Sequence, residues 1–283
     1  MMNLDITPSS QNAKLSAASI IGAVFGFSLI IGAVMLGTSN YRAFFSVEGF
    51  AIVVGGTLAV AFMSSEASDV FTALKSIALM FRQQEATHKN LQNELVDIIA
   101  WARLVQEKGM RGLEDEIGKK IADPFVKYGL EMVVSNYTPD EVRAMMETTA
   151  ESTYERDTVP ATIFMAMASH APAFGMVGTL IGMVTLLRSI GDDMNLIAAA
   201  LAVCLLATLY GVVTARLLYM PAASKVMQKQ EGLRFRNGLI AEGMALLVAN
   251  KSPRYIQDRL NSYLMPEKHH DMDIRKLDHI ITG

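Results

Sequence analysis

The sequence predicts an all-α, polytopic membrane protein with four transmembrane helices and a helical cytoplasmic domain. Three observations predict it. Four stretches lack Asp, Glu, Lys and Arg throughout: Ala17–Gly37 (21 residues), Gly49–Ser65 (17), 158–187 (30) and Met194–Ala215 (22). About 20 apolar residues at 1.5 Å rise cross a bilayer core, so each can span one. The basic residues are one-sided: only Arg42 lies between the first two stretches and only Arg188 between the last two, while eleven fall in 66–160 and eleven from Arg216 onward. Finally, the long middle segment repeats its apolar residues at helical spacing and shows no strand alternation.

Taken in order, residues 1–16 are a short polar N-terminus with Asp5 and Lys14, and the apolar stretch that follows is too long for the core of a cleaved signal. Residues 17–65 hold the first two transmembrane helices, separated by a turn at LGTSNYR, the second carrying Gly55-Gly56. Residues 66–157 read as a helical soluble module. In LQNELVDIIAWARLVQEKG, Leu91, Leu95, Ile98, Ile99 and Ala102 share one face, with Trp101 on or near it and Gly109 as a stop. FVKYGLEMVVSNY is a second amphipathic helix, ending at Ser135-Asn136. Thr138-Pro139-Asp140-Glu141 is a helix start, with Thr as cap, Pro in the first turn and Glu closing a capping box. That helix returns to the membrane near Pro160.

Residues 158–220 hold the third and fourth transmembrane helices. In the third, Pro172 removes one backbone N–H and frees the Ala168 carbonyl, predicting a kink. Gly175, Gly178 and Gly182 form a small-residue stripe that admits another helix. Thr179 and His170 are polar at membrane depth. Residues 221–283 continue as a long helix after Pro221, a short one capped by Ser252-Pro253, and a charged tail whose His269-His270 reads as solvated rather than as a metal site. Basic residues collect on the cytoplasmic side, so both termini and the middle module are placed inside.

Several function classes are excluded or left without support. A net charge of −3 carries no nucleic-acid signal. The single cysteine, Cys204, allows no intrachain disulfide. There is no Walker-type loop, G-x-S-x-G elbow, HExxH helix or CxxC pair, so the chain is read as no enzyme and as needing no cofactor. None of the charge-free cores contains a carboxylate, which proton and cation pathways in membranes use. Either a partner supplies the acid to a channel wall made of hydroxyls, freed carbonyls and glycines, or the helices are an anchor whose threonines bond within their own turns.

APAFGMVGTLIG (171–182), LLATLYG (205–211) followed by Met220-Pro221, and IVVGGTL (52–58) resemble the third, fourth and second transmembrane helices of flagellar stator A subunits, the MotA/PomA family. The resemblance covers roughly residues 17–265 and includes the four-helix order and the large loop. It implies an inner-membrane ring of A subunits around a B-type partner (MotB or PomB) that brings a transmembrane Asp, conducting a cation to turn the rotor protein FliG. On it, Pro172 and Pro221 resemble the prolines that couple ion flow to shape change, and Thr179 and Thr208 the pore-facing threonines. GMRGLE (109–114) is similar to a rotor-contacting motif, which makes Glu114 a rotor-contacting acid. The family's basic residue has no counterpart at its own place, and Lys108, Arg103 and Arg111 are the substitutes.

The implied cation is sodium, with the proton as the alternative. Sodium must exchange water oxygens for protein oxygens, and Thr179 is typical of sodium-driven members. Ala207, where those members carry a second threonine, and the titratable His170 weigh the other way. A TolQ/ExbB-like energy-transducing channel and a non-conducting scaffold are the other readings. The two-helix hairpin before the loop distinguishes the chain from the former.

Overall fold

The computed structural model describes residues 17–37, 41–79, 87–117, 121, 123–188 and 194–264, and every regular element among them is helical. In chain order these are α1 (Ala17–Gly37), a 3₁₀ turn (Tyr41–Phe44), α2 (Val47–Phe50), a π stretch (Ala51–Gly55) and α3 (Gly56–Ser64). There follow α4 (Ala67–Leu79), α5 (Thr87–Ile117), α6 (Pro124–Val134), α7 (Pro139–Arg188) and α8 (Met194–Val213). A second π stretch (Thr214–Tyr219) then leads into α9 (Met220–Val248) and α10 (Pro253–Asn261). The N-terminal residues 1–16 and the tail with His269 and His270 lie outside the described residues.

The chain forms two compact units, Gln84–Glu155 with Glu231 onward, and Lys14–Gln83 with Arg156–Gln230. The long helices α7 and α9 each contribute to both.

The first unit has a core of its own. The face read from the periodicity of α5 is buried, with Leu91, Leu95, Ile98 and Ile99 all at most 1% exposed, and it packs in one cluster with α6, α7, α9 and α10. The ends are set as the sequence predicts. Thr138 N–H donates to Glu141 Oε2 at 2.8 Å and Glu141 N–H donates back to Thr138 Oγ1 at 3.4 Å, closing the capping box. Ser252 Oγ accepts from Tyr255 N–H and caps α10, and Asn136, with a left-handed φ of 63°, ends α6. Gly109 likewise ends the first stretch of α5, its backbone leaving the helix (φ 69°, ψ −173°), and a second helical stretch follows to Ile117. The following turn can bury Leu113 completely, and that apolar contact restarts the helix after the glycine.

The second unit carries the apolar helices. Val47–Ser64, Pro139–Arg188 and Ile197–Val248 each contain a stretch long and apolar enough to cross a membrane, and Val24–Gly37 is a shorter apolar helix. Its core is made of small and aromatic residues, among them Ala61, Phe164, Ala171, Ala215 and Tyr219, and α4 joins it through Val70 and Ala73. The helix α7 passes through Pro160 and Pro172 without interruption.

Candidate functional site

The glycine stripe of α7 is a helix seam. A Cβ on Gly175 would lie 3.0 Å from the Ala207 carbonyl oxygen, one on Gly178 2.4 Å from Ala207 Cβ, and one on Gly182 2.6 Å from Cys204 Sγ. On the facing helix, a Cβ on Gly211 would meet the Ala171 carbonyl oxygen at 2.6 Å and Pro172 Cα at 3.2 Å. So the backbones of α7 and α8 touch, which only small residues permit. Gly211 makes room for the turn at Pro172.

The short helix pair α2 and α3 lies along one flank of this seam. A Cβ on Gly178 would also reach Ile52, one on Gly49 would meet Ala207 N at 3.4 Å, and one on Gly56 would overlap Phe174. Thr179 and Thr208 each follow a residue facing α2, Gly178 and Ala207, and one helical step turns a side chain by about 100°. Because α7 and α8 are antiparallel, that step carries both threonines to the same side of the seam, away from α2. Pro172 sits seven residues before Thr179, almost two full turns, and shares its side. The structure therefore brings three of the sequence-predicted residues to one flank. His170 does not join them: nine residues from Thr179, or two and a half turns, it leaves α7 on the opposite side.

Thr179 Oγ donates to the Met176 carbonyl at 2.6 Å within its own helix, and its own carbonyl accepts from Cys204 Sγ at 3.4 Å. Donation uses the only hydroxyl hydrogen and leaves oxygen lone pairs free to accept or to hold a cation. Thr208 is exposed on α8. Pro221 is the second residue of α9, directly after the π stretch Thr214–Tyr219.

Three hydrogen bonds of this unit carry no sequence signal, because their partners are distant in the chain. Tyr210, inside the LLATLYG motif, accepts from Ser46 N–H at 2.9 Å and donates to the Phe44 carbonyl at 2.6 Å, holding the connection before α2 against α8. Thr57 and Tyr219, 162 residues apart, hydrogen-bond at 3.2 Å in the core. Both π stretches are also new.

The candidate charged residues lie in the other unit. Lys108, Arg111 and Glu114 are exposed and Arg103 is half-buried, and the break at Gly109 separates Arg103 and Lys108 from Arg111 and Glu114. Two ion clusters there were not readable from spacing. Buried Glu242 accepts from Arg143 and from Arg259, both at 2.9 Å. Its burial pushes the carboxyl up, but the two guanidiniums outweigh that and hold it below the ordinary glutamate value. Arg236 pairs with Glu94 of α5 and with Asp123, which also caps α6 by accepting from Phe125 N–H.

A model of the MotA/TolQ/ExbB proton channel family matches residues 118–237. The chemotaxis protein PomA of Vibrio alginolyticus is 31% identical over 252 residues, 88% of this chain and 96% of PomA. Motility protein A of Borreliella burgdorferi is 30% identical over 253 residues, 89% and 95% of the two chains. Among solved structures, the fold matches C. jejuni MotAB with a TM-score of 0.80 at 21% identity, covering 91% of this chain and all of that one. It matches the flagellar MotAB stator complex of Bacillus subtilis with a TM-score of 0.77 at 23% identity, covering 93% and 98%.

Proposed function

The chain belongs to the MotA/TolQ/ExbB proton channel family, among its motility protein A and PomA members, and from that membership we propose that it is the A-type stator subunit of a flagellar motor. Several copies assemble in the inner membrane with a B-type subunit and convert ion-motive force into torque. Four transmembrane helices, with α1 as the first, place both termini and the module between α4 and α7 in the cytoplasm.

The observation that carries this reading is the flank with Pro172, Thr179 and Thr208. Its packing explains what the flank can do. The small-residue seam spends all its side-chain volume on contact between α7 and α8, so no bulky group shields the threonines. α2 and α3 occupy the opposite flank, so this one stays open to a partner helix. The flank offers oxygens and no carboxylate, and the partner supplies an Asp to bind the cation. A charge in the bilayer core is costly unless paired, so the Asp, its cation and the two hydroxyls form one neutralised group. When the cation leaves, the bare carboxylate must find other donors, and the helices move to provide them. Pro172 and Pro221 are where backbone hydrogen bonds do not resist that movement. Torque passes to the rotor through the exposed charges Lys108, Arg111 and Glu114, with Arg103 beside them.

The favoured cation is sodium, because Thr179 presents its lone pairs outward once its hydrogen is given to Met176. Rotation speed of tethered cells depending on this chain, measured at fixed pH while potassium replaces sodium, tests it. Speed should fall with sodium. Speed that ignores sodium down to trace levels makes the chain a proton-driven stator with Thr179 in a packing role.

A further inference from the structure

Two buried hydroxyls join the two irregular helix stretches of the second unit. Thr57 is fully buried and Tyr219 is 3% exposed. Thr57 Oγ donates to the Val54 carbonyl at 3.0 Å, and Val54 lies in the π stretch Ala51–Gly55. The Thr57 and Tyr219 hydroxyl oxygens are 3.2 Å apart. A hydroxyl has one hydrogen, and that of Thr57 is already given to Val54, so Tyr219 is the donor. The result is a directed relay: Tyr219 O–H to Thr57, Thr57 O–H to Val54.

Its two ends explain each other. Tyr219 closes the stretch Thr214–Tyr219, where Met220 N–H bonds five residues back to Ala215. Pro221 follows, with no N–H to give and a ring that crowds the carbonyl four residues earlier, at Leu217. The wide turn before it takes up that mismatch. A π stretch holds one residue more than the α turn it replaces, so it can migrate along a helix, and such stretches concentrate at functional sites. Something must fix its position, and the only side-chain hydrogen bond that Tyr219 makes among the described residues is to Thr57.

We propose that Thr57 and Tyr219 are positioning residues for torque generation, a latch that fixes the helical register ahead of Pro221 and transmits its displacement to α3. The proposal rests on the stator reading above. When the cation leaves and the fourth transmembrane helix shifts at Pro221, Tyr219 draws on Thr57. The carbonyl of Val54 then follows, so the second transmembrane helix and α4 after it move with the fourth instead of slipping past it. Without the relay, the two helices keep their apolar packing but lose step with each other.

Tyr219→Phe removes the donor and keeps the ring, Thr57→Val removes the relay at equal volume, and Thr57→Ser keeps the hydroxyl. Each is measured for membrane abundance, stall torque per stator and speed per stator near zero load. Abundance and stall torque should stay near wild type for all three. Near-zero-load speed should fall about two- to tenfold in Tyr219→Phe and Thr57→Val, the factor one neutral hydrogen bond makes in an equilibrium. Thr57→Ser should restore it, and the double variant should be no slower than either single one. Unchanged speed in both singles overturns the latch. So does a fall of abundance, torque and speed in equal proportion, or a Thr57→Ser that behaves as Thr57→Val. Amide exchange on the purified full chain supplies a readout independent of rotation: residues 214–219 should exchange faster in Tyr219→Phe and in Thr57→Val. If the wild-type chain restores no rotation to a deletion strain, the stator reading falls, and unchanged exchange then overturns the latch as well.

Discussion

At the scale of single residues, the seam between α7 and α8 turns on atoms that are absent. A Cβ on Gly178 would stand 2.4 Å from Ala207 Cβ, a distance no pair of side chains tolerates. Overpacking of this kind costs about 1–3 kcal/mol, and a backbone-to-backbone seam has little room to relax. Gly178→Val should therefore lower the thermal stability and membrane abundance of the chain. Gly22→Ala, where nothing lies within 4 Å, should leave both unchanged, and heating of the detergent-solubilised protein separates the two. Pro172 gives a different outcome, because an alanine there adds no atom to the contact that its Cα makes at Gly211. Pro172→Ala returns an N–H to the Ala168 carbonyl and stiffens the helix. Insertion and abundance should hold while torque is abolished or sharply slowed. Normal torque at normal abundance means that the missing hydrogen bond has no part in motion. The glycine stripe and Pro172 were both readable from sequence, because small-residue spacing and proline act on their own backbone.

At the scale of elements, α5 shows how far a local signal reaches. The sequence reads Gly109 as a stop and the first helical stretch does end there, but the second stretch to Ile117, with Leu113 buried, has no such local mark. The backbone at Gly109, φ 69° with ψ −173°, belongs to a region essentially restricted to glycine. Gly109→Ala should cost about 1–3 kcal/mol and re-aim Arg111 and Glu114 relative to Lys108. Exposed pairs are weak one by one, about 0–1 kcal/mol, so a rotor face must use several. Glu114→Lys should then reduce motility only in part, and a charge reversal on the rotor protein should recover some of it. If Glu114→Lys is silent both alone and with Lys108→Glu and Arg111→Glu, this face does not touch the rotor. Helix-to-helix ion clusters were unreadable because their partners lie far apart in sequence. Glu242 meets Arg143 at a separation of 99 residues. Because the folded carboxyl titrates below its ordinary value of 4.5, its contribution is complete above that pH and is lost as pH falls through the lower, folded value. Acidification below about pH 4.5 should thus destabilise the wild-type chain through this group, whereas the change from neutral pH down to 4.5 should not. Glu242→Gln should be less stable at neutral pH by about 1–3 kcal/mol and lose part of that acid dependence in thermal unfolding.

At the scale of the whole chain, the apolar residues left outside say as much as the core. On α1, Phe25 is 64% exposed and Leu36 94%, and the outer faces of α7 and α8 show Leu180 and Leu205 at 65% and 66%. Exposed apolar area on this scale needs a covering of lipid or other chains, which fits the membrane family and an oligomer. Composition and run length made that readable, since the bilayer selects for both. The π stretches were not, because no residue pattern within Ala51–Gly55 or Thr214–Tyr219 marks a helix that takes an extra residue. The direction of the chain through the membrane rests on the distribution of lysine and arginine, and it leads to a prediction with sharp outcomes. Cys204 is the only cysteine and is buried, so single added cysteines report against a silent background. In spheroplasts, a membrane-impermeant maleimide should label Ser39→Cys and Asp192→Cys, which the sequence places in the two short outer connections. Gln84→Cys and Ser262→Cys, in the basic segments, should react only after the membrane is opened. Labelling of Gln84→Cys in sealed spheroplasts would reverse the orientation and remove the charged face from any cytoplasmic rotor. Labelling of Ser39→Cys only after opening would put the connection between α1 and α2 on the cytoplasmic side and overturn the hairpin of two transmembrane helices that the sequence predicts there. The one pattern that supports the stator reading is reaction at both outer connections and at neither basic segment.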